Sequence, residues 1–162
     1  MRYLNYLVSL LSVVLIVSCN DDEPTAREST FVLHRIGVTP VNGVVTFTEL
    51  GARKVQVDIS LENTGEGTPF PAHLHFGDIG ITGELAYRLN DVQSSTGRST
   101  TVLDDVTLTD GTVFTYDFLE QMNGSVKIHL NDSFFKNIAI AAGNVGSNNN
   151  NTLSGIAVCT GH

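Results

Sequence analysis

The sequence predicts an all-β sandwich or barrel, and three observations carry that prediction. Apolar and polar residues alternate at period two through most of the chain beyond residue 30, turn-forming residues interrupt the alternation at short intervals, and no stretch shows the periodicity of a long amphipathic helix. The clearest strand is Lys54–Glu62, where Val55, Val57, Ile59 and Leu61 alternate with Lys54, Gln56, Asp58, Ser60 and Glu62. Its two faces are those of a sheet buried on one side and wet on the other.

The other elements follow from the same pattern. Residues 31–38 and 44–50 read as strands joined through Pro40, Asn42 and Gly43, with Asn-Gly as a hairpin-type signal. A turn at 49–52 leads into the strand already described, and a loop rich in Gly and Thr at 63–68 precedes a strand at 70–76. Further strands are expected at 84–89 and at 102–108, the latter closed by Asp110-Gly111. Residues 115–122 mix Tyr116, Phe118 and Leu119 in a way that suits a short helical turn before Asn123-Gly124. Alternation resumes at 125–130, with Val126, Ile128 and Leu130 on one face and Lys127 and His129 on the other. Strands at 138–142 and 153–159 complete the set, separated by 143–151, whose four consecutive asparagines at 148–151 read as loop.

Within 70–76 lies the most informative local feature, Pro71-Ala72-His73-Leu74-His75-Phe76-Gly77-Asp78. On a strand, Ala72, Leu74 and Phe76 face the core, and both imidazoles project from the other side. His129 has the matching phase on a later strand. Three neutral imidazoles on neighbouring strands make a site for copper or zinc with an open fourth position. The plainer reading is a set of solvated histidines on a sheet surface. Asp78 is a candidate to order one of the histidines, although Gly-Asp is also an ordinary turn sequence. His34 and the terminal His162 read as bystanders. A blue-copper site built on Cys159 and Met122 is disfavoured, since that chemistry needs both on one metal loop.

Residues 1–18 read as a targeting segment, with Arg2 at its start and an apolar run over 7–17 too short to span a bilayer. The run ends in Leu15-Ile16-Val17-Ser18-Cys19, which resembles a bacterial lipobox. That resemblance implies acylation of Cys19 and a lipid anchor in the cell envelope, the outer membrane above all, with the domain displayed on either face. An ordinary signal peptide that leaves Cys19 as a thiol is the alternative. The acidic stretch that follows, Asn20-Asp21-Asp22-Glu23, is similar to a lipoprotein tether, so the expected organisation is 1–18 signal, 19–30 tether and 31–162 domain. The whole chain carries a net charge of −8, and without Arg2 eight basic residues face 17 acidic ones, a net charge of −9. Such a balance argues against nucleic acid and anionic lipid surfaces as partners. With Cys19 acylated, Cys159 has no intrachain partner, so the fold does not depend on a disulfide.

The order of motifs carries a family resemblance. Pro40-Val41-Asn42-Gly43-Val44-Val45-Thr46-Phe47, the alternating strand, Phe70-Pro71-Ala72-His73-Leu74-His75-Phe76-Gly77, Asp110-Gly111-Thr112 with Tyr116, and Val126-Lys127-Ile128-His129-Leu130 together resemble the CHRD (chordin-type) domain. The same segments are similar to the copper/zinc superoxide dismutase sandwich, in which a His-x-His strand and a late Val-Val-His strand supply copper ligands. Both resemblances imply a Greek-key β-sandwich, and the second places His73, His75 and His129 at three of four copper-ligand positions. The chain departs from a dismutase in having no histidine between His75 and His129 to bridge copper and zinc, and in reading Ser147-Asn148-Asn149 where a guiding arginine belongs. The sequence also lacks a Gly-x-Ser-x-Gly elbow, a phosphate-binding glycine loop, a His-Glu-x-x-His motif and a paired-cysteine motif. The expected function is therefore a lipid-anchored binding or interaction module with one copper or zinc ion on three histidines and a protein or small-molecule ligand. A copper-only redox enzyme and a purely structural surface domain are the alternatives.

Overall fold

The computed structural model describes residues 26–81, 83–130 and 138–148. Eight strands and one short helix follow in the order β1 (Glu28–Arg35), β2 (Asn42–Gly51), β3 (Lys54–Glu62), β4 (Ala72–Phe76), β5 (Leu85–Arg88), β6 (Arg98–Asp104), α1 (Tyr116–Gln121), β7 (Asn123–His129) and β8 (Ala139–Gly146). All pair antiparallel in one curled sheet of order β5-β4-β7-β8-β1-β2-β3-β6. The predicted all-β class is the observed one. Strand β7 does not pair with its sequence neighbour β6, which lies at the far end of that order, but inserts between β4 and β8.

The sheet curls at β1. Glu28–Leu33 pair with β2, whereas His34 and Arg35 pair with β8, so β1 belongs to two layers, β1-β2-β3-β6 and β5-β4-β7-β8-β1. Their inner faces meet in a dry core. Val45, Phe47, Val57 and Ile59 enter from one layer and Leu74, Val126 and Ile128 from the other, all essentially without solvent exposure. Phe47 stacks edge-on to Phe31 at 6.0 Å between ring centroids and lies 6.4 Å from Phe114.

Several sequence expectations shift. The strand expected at 102–108 is Arg98–Asp104, because the inward slots are filled by Ser99, Thr101 and Leu103. Thr101 is buried yet satisfied, its Oγ1 accepting from the Asn90 amide at 2.8 Å, so a polar residue sits where alternation calls for an apolar one. Asn42-Gly43 is not a hairpin turn. Both residues are paired inside β2, and a side chain at Gly43 would meet the Ser60 carbonyl at 2.0 Å, so the glycine serves close strand packing. Asn123-Gly124 likewise begins β7, and β8 runs on through Gly143–Gly146, where a loop was expected. The strand expected at 153–159 lies outside the described residues.

The short helix forms as predicted, with Thr115 capping it by accepting from the Phe118 amide at 3.0 Å. It is tied to the sheet rather than self-sufficient. The Tyr116 hydroxyl meets Ser29 Oγ at 2.6 Å, and Arg27 lies over the Tyr116 ring at 4.7 Å. Arg27 also pairs with Glu49 at 2.7 Å, Asp117 at 2.7 Å and Glu120 at 3.3 Å, joining β2 to the helix. Hydrogen bonding to Arg27 holds the Glu49 carboxyl below the ordinary glutamate range. A depressed carboxylate stabilises the fold above its unfolded value and loses that contribution as pH falls through its folded value. Thermal unfolding of Glu49→Gln is therefore expected to differ from wild type at neutral pH and to converge with it below the ordinary glutamate range. An unchanged gap across that range would refute the link.

Candidate metal centre

Strand pairing sets the candidate site. In β4, Ala72 and Leu74 lie opposite Ile128 and Val126 of β7 on the core side. His73 pairs with Lys127 and His75 with Ser125, so these four share the opposite face. The rows continue into β8, where Ala142 lies opposite Lys127 and Asn144 opposite Ser125, and into β5, where Arg88 lies opposite His73. A register shift between Ile128 and His129 marks a bulge against β8, and the His129 amide donates to the Pro71 carbonyl at 2.8 Å.

The histidines turn away from the core, as their phase requires, but they are not on the surface. His73 is 6% exposed, His75 0% and His129 1%, and Lys127 is fully buried beside them. Burial comes in part from the segment that follows β4. The Asn144 side-chain oxygen accepts from the Ile79 amide at 2.8 Å, Lys127 Nζ donates to the Ile81 carbonyl at 3.3 Å, and His75 Nδ1 donates to the Gly83 carbonyl at 3.1 Å. Side chains from three adjacent strands thus hold one loop against the sheet, and its Ile79 is buried.

The three imidazoles come together. Ring centroids are 4.7 Å apart for His73 and His129, 5.9 Å for His73 and His75, and 6.5 Å for His75 and His129. One nitrogen from each lies within 4.8 Å of the others. Around tetrahedral zinc, nitrogens sit about 3.3–3.4 Å apart, given bonds of 2.0–2.1 Å. Holding an ion therefore requires the three rings to draw closer together. The His75 contact fixes that ring's chemistry: a carbonyl only accepts, so Nδ1 carries the proton and Nε2 keeps its lone pair for a ligand role. The Nδ1 atoms of His73 and His129 are buried at the trio.

No protein family, curated protein or solved structure matches the chain. The site stands on its geometry.

The remaining candidates fall elsewhere. Asp78 caps its own turn, its carboxylate accepting from the Gly80 amide at 2.7 Å and its carbonyl from the Ile81 amide at 3.2 Å. His34 sits opposite Ala142 on the same face but outside the trio. Met122 is a core residue beside α1, and Cys19, Cys159 and His162 lie outside the described residues. Sequence reasoning overlooked Arg88, Asn144 and the Gly83 carbonyl. The phase of Lys127 was visible, but its burial was not.

Gly83 has no room for a side chain. A side chain there would lie 1.7 Å from the Phe76 carbonyl oxygen and 3.6 Å from the His75 side chain. Gly83→Ala is expected to cost about 1–3 kcal/mol of unfolding free energy and to release His75 Nδ1 from its carbonyl. Denaturant unfolding and imidazole nitrogen NMR check both, and an unchanged His75 tautomer signal would refute the second.

Proposed function

We propose that this chain is a lipid-anchored envelope binding module that holds one copper or zinc ion through His73, His75 and His129. The observation that carries the reading is the buried trio itself, with its nitrogens gathered within 4.8 Å and His75 already held in a ligand-competent tautomer by the Gly83 carbonyl. Imidazole donors suit copper and zinc, whereas calcium and magnesium call for oxygen. Three protein nitrogens leave a coordination position for water or a small ligand. The ion would fix the neighbouring strands β4 and β7 together and offer that open position to a partner.

Metal analysis tests this. Protein purified from copper- and zinc-supplemented medium is expected to carry about one equivalent of one of these ions, and His73→Ala, His75→Ala or His129→Ala to lose most of it. Failure of wild type to take up either ion at micromolar concentration would overturn the metal reading. A dismutase assay on the copper-loaded protein then reads whether bound copper cycles.

The anchor and the CHRD-type role belong to the same proposal, supported by the lipobox-like run ending in Cys19 and by the order of motifs from Pro40 to Leu130. Cells fed labelled fatty acid are expected to label the wild-type chain and not Cys19→Ala. Persistent labelling of the variant would remove the anchor at Cys19.

A further inference from the structure

The metal trio has a competitor built into the fold. Arg88, exposed on β5, lies opposite His73 in the register and brings Nη1 to 3.3 Å from His73 Nε2. A guanidinium has donors and no acceptor, so His73 Nε2 must be the accepting nitrogen and the ring's proton sits on Nδ1.

Neither ring nitrogen of His73 can take a metal while that contact stands. Ligation through Nε2 uses the lone pair that Arg88 occupies. Ligation through Nδ1 moves the proton to Nε2, which then presents an N–H to the guanidinium, donor against donor. A fixed positive charge beside an incoming dication opposes loading by either route. Arg88 must therefore leave His73 before or as the ion arrives. Its exposure makes that movement inexpensive, because the freed guanidinium passes directly into water.

Resting on the three-histidine reading, we infer that Arg88 is a built-in inhibitor of metal loading, an arginine latch on His73 that opens when the ion binds. It touches no metal. The latch sets a threshold for ion uptake and closes the histidine again on release.

Competition titrations of Cu(II) and Zn(II) against a chelator, on the purified protein and on Arg88→Met and Arg88→Lys, test the latch. Arg88→Met is expected to bind roughly three- to tenfold more tightly, the range of one exposed charge-assisted hydrogen bond, and Arg88→Lys, which keeps a donor and a charge, to stay nearer wild type. A merely structural role for Arg88 predicts the opposite direction, weaker binding in Arg88→Met. In wild type, Arg88 is expected to react faster with phenylglyoxal after metal loading than before. Equal or weaker binding by Arg88→Met, or unchanged phenylglyoxal reactivity, would overturn the latch while leaving the site. Wild type that binds no metal would remove the site and the latch together.

Discussion

The structure turns on the burial of polar groups on the side of a sheet that faces away from its own core. Strands β4, β7 and β8 carry histidine, serine, lysine and asparagine on that side, and these residues are as dry as the leucines and valines opposite them. Burying an amide or imidazole without a partner costs on the order of 1–3 kcal/mol, and a charged group costs more. Hydrogen bonds to backbone groups of the overlying loop offset this cost, through Asn144 to Ile79, Lys127 to Ile81 and His75 to Gly83. The contacts that make burial tolerable also set the orientation of a candidate ligand, so packing and site chemistry rest on the same atoms.

The curl of the sheet makes such a second interior available. Because β1 pairs with β2 along most of its length and with β8 at its end, the apolar faces of both layers are consumed in one core. What remains on the outside differs between the layers. On the β1-β2-β3-β6 layer it is ordinary exposed surface, with Thr30 bonded to Thr46 and Thr100 bonded to Asp58. On the other layer the outward rows hold the histidines, and the chain after β4 doubles back over them. An outward phase therefore means solvent on one layer and a second dry compartment on the other.

How far the sequence reveals this depends on the range of the interactions. Alternation in 54–62 and at Val126, Ile128 and Leu130 encodes strand and facing directly, since period two follows from backbone geometry alone. The helix at α1 was legible for a similarly local reason, its cap and its aromatic residues being neighbours in sequence. The strand at Arg98–Asp104 was misplaced because Thr101 is buried through a bond to Asn90, a distant partner that alternation does not register. Asn42-Gly43 misled because its glycine answers to a carbonyl on the next strand rather than to a turn.

The sequence by itself determined the all-β class, the short helical turn before Asn123-Gly124 and the phase that turns His73, His75 and His129 away from the core, because each follows from the identity and spacing of residues along one strand or one turn. Only the tertiary structure decided that those histidines are buried and converge, that the Gly83 carbonyl rather than Asp78 is the group it shows accepting from His75, and that Arg88 rests on His73. Each of these requires strands distant in sequence to be brought into register and a loop to fold back across them, and no pattern read along the chain contains that geometry.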